Sequence, residues 1–313
     1  MVSVRKKRSA PALPVRAGIS PNSVYLPQPD LASPACTSVL QFLVTRFPAV
    51  SIERWRERMQ RGDVVDAGGH PIPPDSPYRP GTRLYYYREL ETELPVPFPH
   101  KILHEDEHLL VADKPHFLPT VPSGGYLHET LISRLRRERG QGDLEVLHRL
   151  DRDTAGLVLI AKHPGARDAY HRLFRERQMD KVYLAVAPLN PALEFPLTRA
   201  SHIGAAADFY RRQEGAGEVN AITRIELAAQ QAGLGLYRLF PVTGKTHQLR
   251  IHMAALGIPI LHDPYYPDES PREPGDFSQP LQLLAQALAF TDPFTGAERH
   301  FTSTFTLAQD CFR

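Results

Sequence analysis

The densest group of reactive side chains is HRLDRDTAGLVLIAK, residues 148–162, where a charged loop sits between two apolar runs that read as strands. If residues 148–151 are extended, side chains alternate, so Arg149 and Asp151 project to one face while Leu150 points into the core. A guanidinium and a carboxylate then share a cleft. A carboxylate held there can act as a nucleophile, or as an acid and base. Alone, Asp151 would more often be a loop or capping aspartate. Asp151 and Asp153 suggest a metal pair, but no third carboxylate or histidine falls at a convincing spacing, so no metal is expected. His247 and His252 lie five apart, do not share a helical face, and read as structural or phosphate-contacting groups. GKT at residues 244–246 resembles the end of a phosphate-binding loop, yet Leu239 occupies the position where that loop needs glycine. Glycoside hydrolysis would use a carboxylate pair, and only Asp153 accompanies Asp151.

These residues need strands and helices to hold them. EVLHRLD, GLVLIAK and KVYLAVA read as three strands, with a helical face of Ala166, Ala169, Tyr170 and Leu173 between the last two. HEDEHLLVADKP is strand-like and closes in a Lys-Pro turn, and a helix is expected over 127–139. Later strands are expected at EVNAITRIELA and LGLYRLF, then a helix over 246–256 and a final apolar stretch over 281–290. Strands outnumber long helices, which predicts an α+β fold.

Ahead of this region, residues 1–36 are rich in Pro, Ser and basic side chains, including Arg5-Lys6-Lys7-Arg8, and read as a flexible leader. Residues 37–92 open with two short helices, the second capped by Ser51 and carrying Arg54, Arg56, Arg58 and Arg61. A turn-rich segment and the strand-like TRLYYY follow. This order resembles the small alpha-L RNA-binding module; an amphipathic helix pair with a solvated basic face is the plainer reading. Residues 93–100, with alternate prolines, read as an extended linker, and residues 101–313 as the main domain. The formal net charge of +2 puts any nucleic-acid contact on local basic clusters. Arg134, Arg136, Arg137, Arg139, Arg167, Arg172, Arg175 and Arg177 are candidates, although solvated helix faces explain such runs equally well. Cys36 and Cys311 form neither a disulfide framework nor a zinc site. With no apolar segment of bilayer length, a cytoplasmic protein without a membrane span is expected.

Three separated motifs now agree in order. HRLD with its short DTAG turn, KVYLAVA, and TGKTHQLRIHMAALGIPILHDPYY are similar to the signatures of the RluA-type pseudouridine synthases, over roughly residue 104 to the end. Ala155 stands where that family usually has Ser, Lys245 where it has Arg, and His262 where Gly is common. The resemblance implies a mixed, mostly antiparallel curved sheet flanked by helices, and isomerisation of uridine in structured ribosomal or transfer RNA without a cofactor.

It also implies Asp151 as the catalytic carboxylate, Arg250 as its charge partner and Tyr183 as a stacking surface for the uracil. A carboxylate in a water-poor cleft needs such a cation to stay ionised. Stacked uridine must be flipped out, at a cost comparable to what base-on-aromatic stacking returns. Arg149 is the candidate to fill the vacated space, and Lys181, Lys245 and His247 are the further RNA contacts. A monomer with no obligatory protein partner is expected. A catalytically silent RNA-binding protein of the same fold is the alternative.

Overall fold

In a computed structural model the structure describes residues 13–28, 36–206, 208 and 211–307, so the basic run at Arg5 to Arg8 and Cys311 lie outside the described residues. The chain divides into two compact units, Met1–Glu91 and Thr92–Arg313.

The first unit comprises β1 (Asn22–Tyr25), α1 (Val39–Arg46), α2 (Ile52–Gln60), β2 (Val64–Val65) and β3 (Arg83–Tyr86), its sheet ordered β1-β3-β2. Ser51 caps α2 through the Arg54 N–H, as its position predicts. Trp55, Leu43 and Leu84 fill the core between the helices and the sheet. Two expectations need correction. The leader is not structureless throughout, because β1 pairs with β3 along its whole length. Nor is the basic run of α2 wholly free: Arg54 pairs with Glu91, Arg58 with Glu89, and Arg61, just past the helix, with Asp63 and Glu89, so that of the four only Arg56 has no ion pair among the described residues.

The second unit runs β4 (Lys101–Glu105), β5 (Leu109–Lys114), α3 (Leu131–Arg139), β6 (Glu145–Val146), β7 (Ala155–Ala161), α4 (Pro164–Arg175), β8 (Asp180–Pro188), β9 (Leu197–Ala205) and β10 (Arg212–Gly215). It continues with β11 (Ala221–Gln231), β12 (Leu234–Pro241), α5 (Gln248–Ala255), β13 (Leu283–Thr291) and β14 (Glu298–Thr302). One sheet is ordered β10-β9-β11-β12-β8-β13-β7-β5-β4, with β14 on β13 and β6 on β7. Among the described residues every pairing in it is antiparallel except β13 with β7, which gives the expected mixed α+β architecture. Alternation along β5 and β7 separates two layers: Leu110, Val158 and Ile160 pack with α3, while Leu109, Leu157 and Leu159 pack with α4. A third cluster seats Leu249 and Met253 of α5 on Ala185, Ile225 and Tyr237.

Residues 92–100 are not a free linker. Glu93 accepts the backbone N–H groups of Leu127, His128 and Glu129, and Arg134 donates to the carbonyls of Val96 and Phe98, so this segment is strapped onto α3. Where β7 meets β13, Gly156 adopts φ 114°, and a Cβ there would lie 2.3 Å from the Ala285 carbonyl oxygen. A glycine is required at that crossing.

Candidate active site

EVLHRLD contributes a strand only at Glu145–Val146, and the physical reason lies in His148. Its Nε2 accepts the Leu159 N–H at 3.1 Å, so a side chain replaces the next backbone rung and the chain leaves the ladder. That bond requires the lone pair on Nε2, and burial pushes the imidazole down to about 3. From there to Asp153 the backbone is held by side chains of another segment. Thr120 Oγ1 donates to the Leu150 carbonyl at 2.7 Å and accepts the Leu150 N–H at 3.2 Å. Lys114 Nζ donates to the carbonyls of Pro115, Leu118 and Arg152. His116 Nδ1 donates to the Asp153 carbonyl at 2.7 Å. Burial lowers Lys114 to about 7 and His116 to about 4. Sequence reading saw a Lys-Pro turn here and missed that its lysine is a buried clamp on the loop.

Leu150 is buried and Arg149 exposed, as strand-like alternation requires, and Asp151 opens into a cavity of about 620 Å³. The cavity brings together the seven residues expected to act on the uridine or to contact RNA beside it: Arg149, Asp151, Tyr183, Lys181, Lys245, His247 and Arg250 all line it. Arg250 Nη1 lies 3.5 Å from Asp151 Oδ2, so the expected pair forms. It is not the main bond of that guanidinium. Arg250 Nε and Nη2 grip Asp263 at 2.8 and 2.5 Å, both side chains are 1% exposed, and Asp263 therefore holds the fork that presents the remaining nitrogen to Asp151. Burial works against the Arg250 charge, but the Asp263 bonds and the nearby carboxylates carry its pKa above the ordinary value. The signal for Asp263 was present in HDPYY, which matched a family segment without a task for its aspartate.

His247 comes closer to the chemistry than expected, with Nε2 3.8 Å from Asp151 Oδ1. It stands at φ 58°, so α5 starts one residue later, at Gln248. Tyr266 donates its O–H to the Arg212 carbonyl, so the oxygen accepts from His247 Nδ1 at 2.9 Å. That leaves the Nε2 lone pair facing the cleft. Burial lowers the His247 pKa and Asp151 opposes it. Tyr183, on β8 between two core clusters, has its phenol pushed up, first by burial and then by the Asp151 charge, so it stays a neutral donor.

His252 turns away from this site. Its nitrogens meet Thr223 Oγ1 at 2.9 Å and Ser201 Oγ at 3.1 Å, and burial lowers it to about 4 although Glu214 opposes this. An imidazole buried neutral contributes stability that is complete above an unfolded pKa of about 6.5 and is lost as pH falls toward the folded value. We expect the pH 7 to pH 5 difference in urea-unfolding free energy to shrink by about 2 kcal/mol in His252→Gln. An unchanged difference would show that folding leaves the proton affinity of this ring as it is in the unfolded chain.

Asp153 does not line the cavity; Arg152 and Arg272 hold its carboxylate at 3.2 and 3.4 Å, which removes it as a metal partner for Asp151. The three departures from the motifs also find their places. Ala155 is fully buried and packs in one core cluster with Val186, Leu284 and Leu307. Lys245 is exposed at the cavity wall. His262 adopts φ 60°, the left-handed conformation that glycine favours, and its ring donates to the Pro280 carbonyl at 3.2 Å. Most arginines of the expected phosphate-binding runs are occupied internally: Arg139 by Glu105, Arg167 by Glu145, Arg172 and Arg175 by Asp168, Arg134 by Glu129, and Arg136 by the Leu144 carbonyl. Arg149, Arg177, Lys181 and Lys245, all at the cavity, carry no ion pair among the described residues.

The family model described as RNA pseudouridylate synthase matches residues 108–255. An uncharacterized RNA pseudouridine synthase of Synechocystis is 30% identical over 242 residues, covering 73% of this chain and 79% of the relative. The ribosomal large subunit pseudouridine synthase C of Escherichia coli is 38% identical over 205 residues, covering 62% of this chain and 63% of the relative, a little under two thirds of its length. Among solved structures, human RNA Pseudouridylate Synthase Domain Containing 1 superposes with a TM-score of 0.57 at 23% identity, over 70% of this chain and 89% of that one, and shares the fold. This chain belongs to the RNA pseudouridine synthase family, isomerases that convert uridine in RNA to pseudouridine. Among the described residues no helix is long and apolar enough to cross a membrane.

Proposed function

We propose that the substrate is structured ribosomal RNA, with transfer RNA as the other candidate, and that Asp151 is the catalytic carboxylate. The observation that carries this reading is the single carboxylate lining the cavity, Asp151, bracketed by Arg250 at 3.5 Å and His247 at 3.8 Å beside an aromatic wall. The bond from uracil nitrogen to ribose breaks, the base turns in place, and ribose rejoins at carbon 5, whose proton is released while the nitrogen regains one. Asp151 serves as nucleophile or as acid and base in these steps, and Arg250 keeps it ionised. Tyr183 stacks on the flipped uracil, Arg149 fills the space it leaves, and Lys181, Lys245 and His247 contact the backbone.

The substrate class draws support from the E. coli relative, whose name assigns it to the large ribosomal subunit. In this reading residues 37–92 are a second, alpha-L-like RNA-binding surface, and the protein works in the cytoplasm as a monomer without an obligatory protein partner. The test is pseudouridine mapping across cellular RNA in a strain lacking the protein, complemented with wild type or Asp151→Ala. Sites that vanish and return only with wild type identify both reaction and substrate; persistence of every site overturns the reading. For Tyr183, replacing the ring by Ala is expected to weaken RNA binding by about 1–3 kcal/mol, with Tyr183→Phe keeping most of the affinity. Equal affinities for wild type and Tyr183→Ala would remove it as the stacking surface.

A further inference from the structure

A second cavity, of about 490 Å³, adjoins the first, and Phe174, Arg177, Lys181, Pro241 and Val242 line both. Beyond that shared rim the second cavity is walled by the apolar Leu173, Met179, Val182 and Phe240, with Asp180 as its one carboxylate. Its rim differs from the rest of this surface in charge. Arg177 and Lys181 have no ion pair or side-chain hydrogen bond among the described residues, whereas nearly every arginine on α3 and α4 is committed to a carboxylate or carbonyl. The Lys181 charge is disfavoured first by burial and then by the Arg177 cation, so the two like charges lie close enough to oppose one another, and Asp180, which also lines the cavity, forms no ion pair with either.

Backbone geometry sharpens this. Arg177 follows the end of α4 at φ 56°, a left-handed conformation in which glycine is unstrained and arginine is not. Its N–H bonds to Phe174 O and the Gln178 N–H to Leu173 O, so the turn that carries the guanidinium is tied to the two residues that wall the cavity. A slot whose walls are mostly apolar and partly aromatic takes a flat ring, and two cations without ion pairs at its mouth, against a single carboxylate, take a phosphate. A lipid tail or an apolar peptide would leave the cations unmatched.

We propose that this second cavity is a subsite for the nucleotide adjoining the target uridine: its base lodges against Phe174 and Phe240, and Arg177 and Lys181 hold the phosphate that joins it to the nucleotide in the Asp151 cleft. The proposal rests on the reading of that cleft as the uridine site. It gives the enzyme a means of testing the target's neighbour, because both bases must leave the stack together and only a splayed segment can fill both cavities.

The test uses the full chain and four probes: uridine monophosphate, the dinucleotides UpA and ApU, and whichever dinucleotide binds tighter with its adenine removed to leave an abasic ribose. One dinucleotide is expected to bind about 5- to 150-fold tighter than the mononucleotide, with the gain lost on removal of the adenine. NMR signals of the Val182 and Met179 methyl groups should move with that dinucleotide and stay still with the mononucleotide. Val182→Trp, which fills the cavity, should erase the ratio between the two affinities, and Phe240→Ala should reduce it. A dinucleotide that binds no tighter than uridine monophosphate, with both methyl signals still, overturns the subsite while leaving the cleft reading intact. Failure of every probe to bind or to shift signals at the cleft overturns both.

Discussion

Asp151→Asn is expected to fold as the wild type does, bind RNA with unchanged affinity, and form pseudouridine at least about 10³-fold more slowly, as befits loss of the reacting acid and base. The expectation of intact folding follows from how the loop is held. Its backbone is fixed by Thr120, Lys114 and His116, none of which bonds the Asp151 side chain. Asp151 is 29% exposed, and Arg250 keeps its bidentate partner when the Asp151 charge is removed, so no buried cation is stranded. The amide has the shape of the carboxylate and can still accept from Arg250 Nη1, but it can neither attack ribose or base nor hold a transferred proton. Tritium release from carbon 5 of labelled uridine measures the step directly, and filter binding of the same RNA measures affinity. Activity within tenfold of wild type would remove Asp151 from the chemistry; lost binding together with lost activity would make it a recognition residue.

What could be read beforehand and what could not divides along a physical line. HRLD, KVYLAVA and the helix carrying Arg250 are local patterns, each placing its polar residue by alternation or helical period, and all three deliver that residue to one cavity. Strands β9 and β14 escaped notice because LTRASHIGA and ERHFT bury little of either face, and the apolar alternation that marks a strand is faint. His148 reads as one more polar residue of the motif, yet it ends a ladder by substituting a ring nitrogen for a backbone carbonyl, which periodicity cannot express. The arginine runs mislead in the opposite direction. Spacing shows a stripe of charge on α3, but Glu105, Glu129 and the Leu144 carbonyl, brought in from other segments, decide how much of it can meet phosphate. Competition is the hardest case: one guanidinium lies between Asp151, 99 residues away in sequence, and Asp263, 13 away, and only the tertiary structure assigns the fork to the second.

That assignment has a consequence for stability and activity together. Asp263→Asn should cost about 3 kcal/mol, because the Arg250 guanidinium, 1% exposed, loses the carboxylate its fork grips and keeps only the longer contact to Asp151 at 3.5 Å. For a unit of this size each kcal/mol lowers the melting temperature by about 2–4 °C, so a fall of about 10 °C is the expected reading. The asparagine oxygen still accepts from the N–H groups of Tyr265 and Tyr266, as the aspartate does, so the loss reports the charge and not the turn. Adding Arg250→Met removes the stranded cation. The double variant should recover most of the lost stability, since replacing a buried pair by apolar groups is often neutral, whereas breaking it is not. Its activity should remain at least about 10²-fold down, because Asp151 then has no cation beside it. Recovery of stability without recovery of turnover would show that Asp263 stabilises the fold by matching the Arg250 charge, and that turnover needs that charge beside Asp151. If Asp263→Asn instead melts within about 1 °C of wild type, the fork carries little of the fold's stability, and Asp151 must be oriented by His247 and the loop clamp alone.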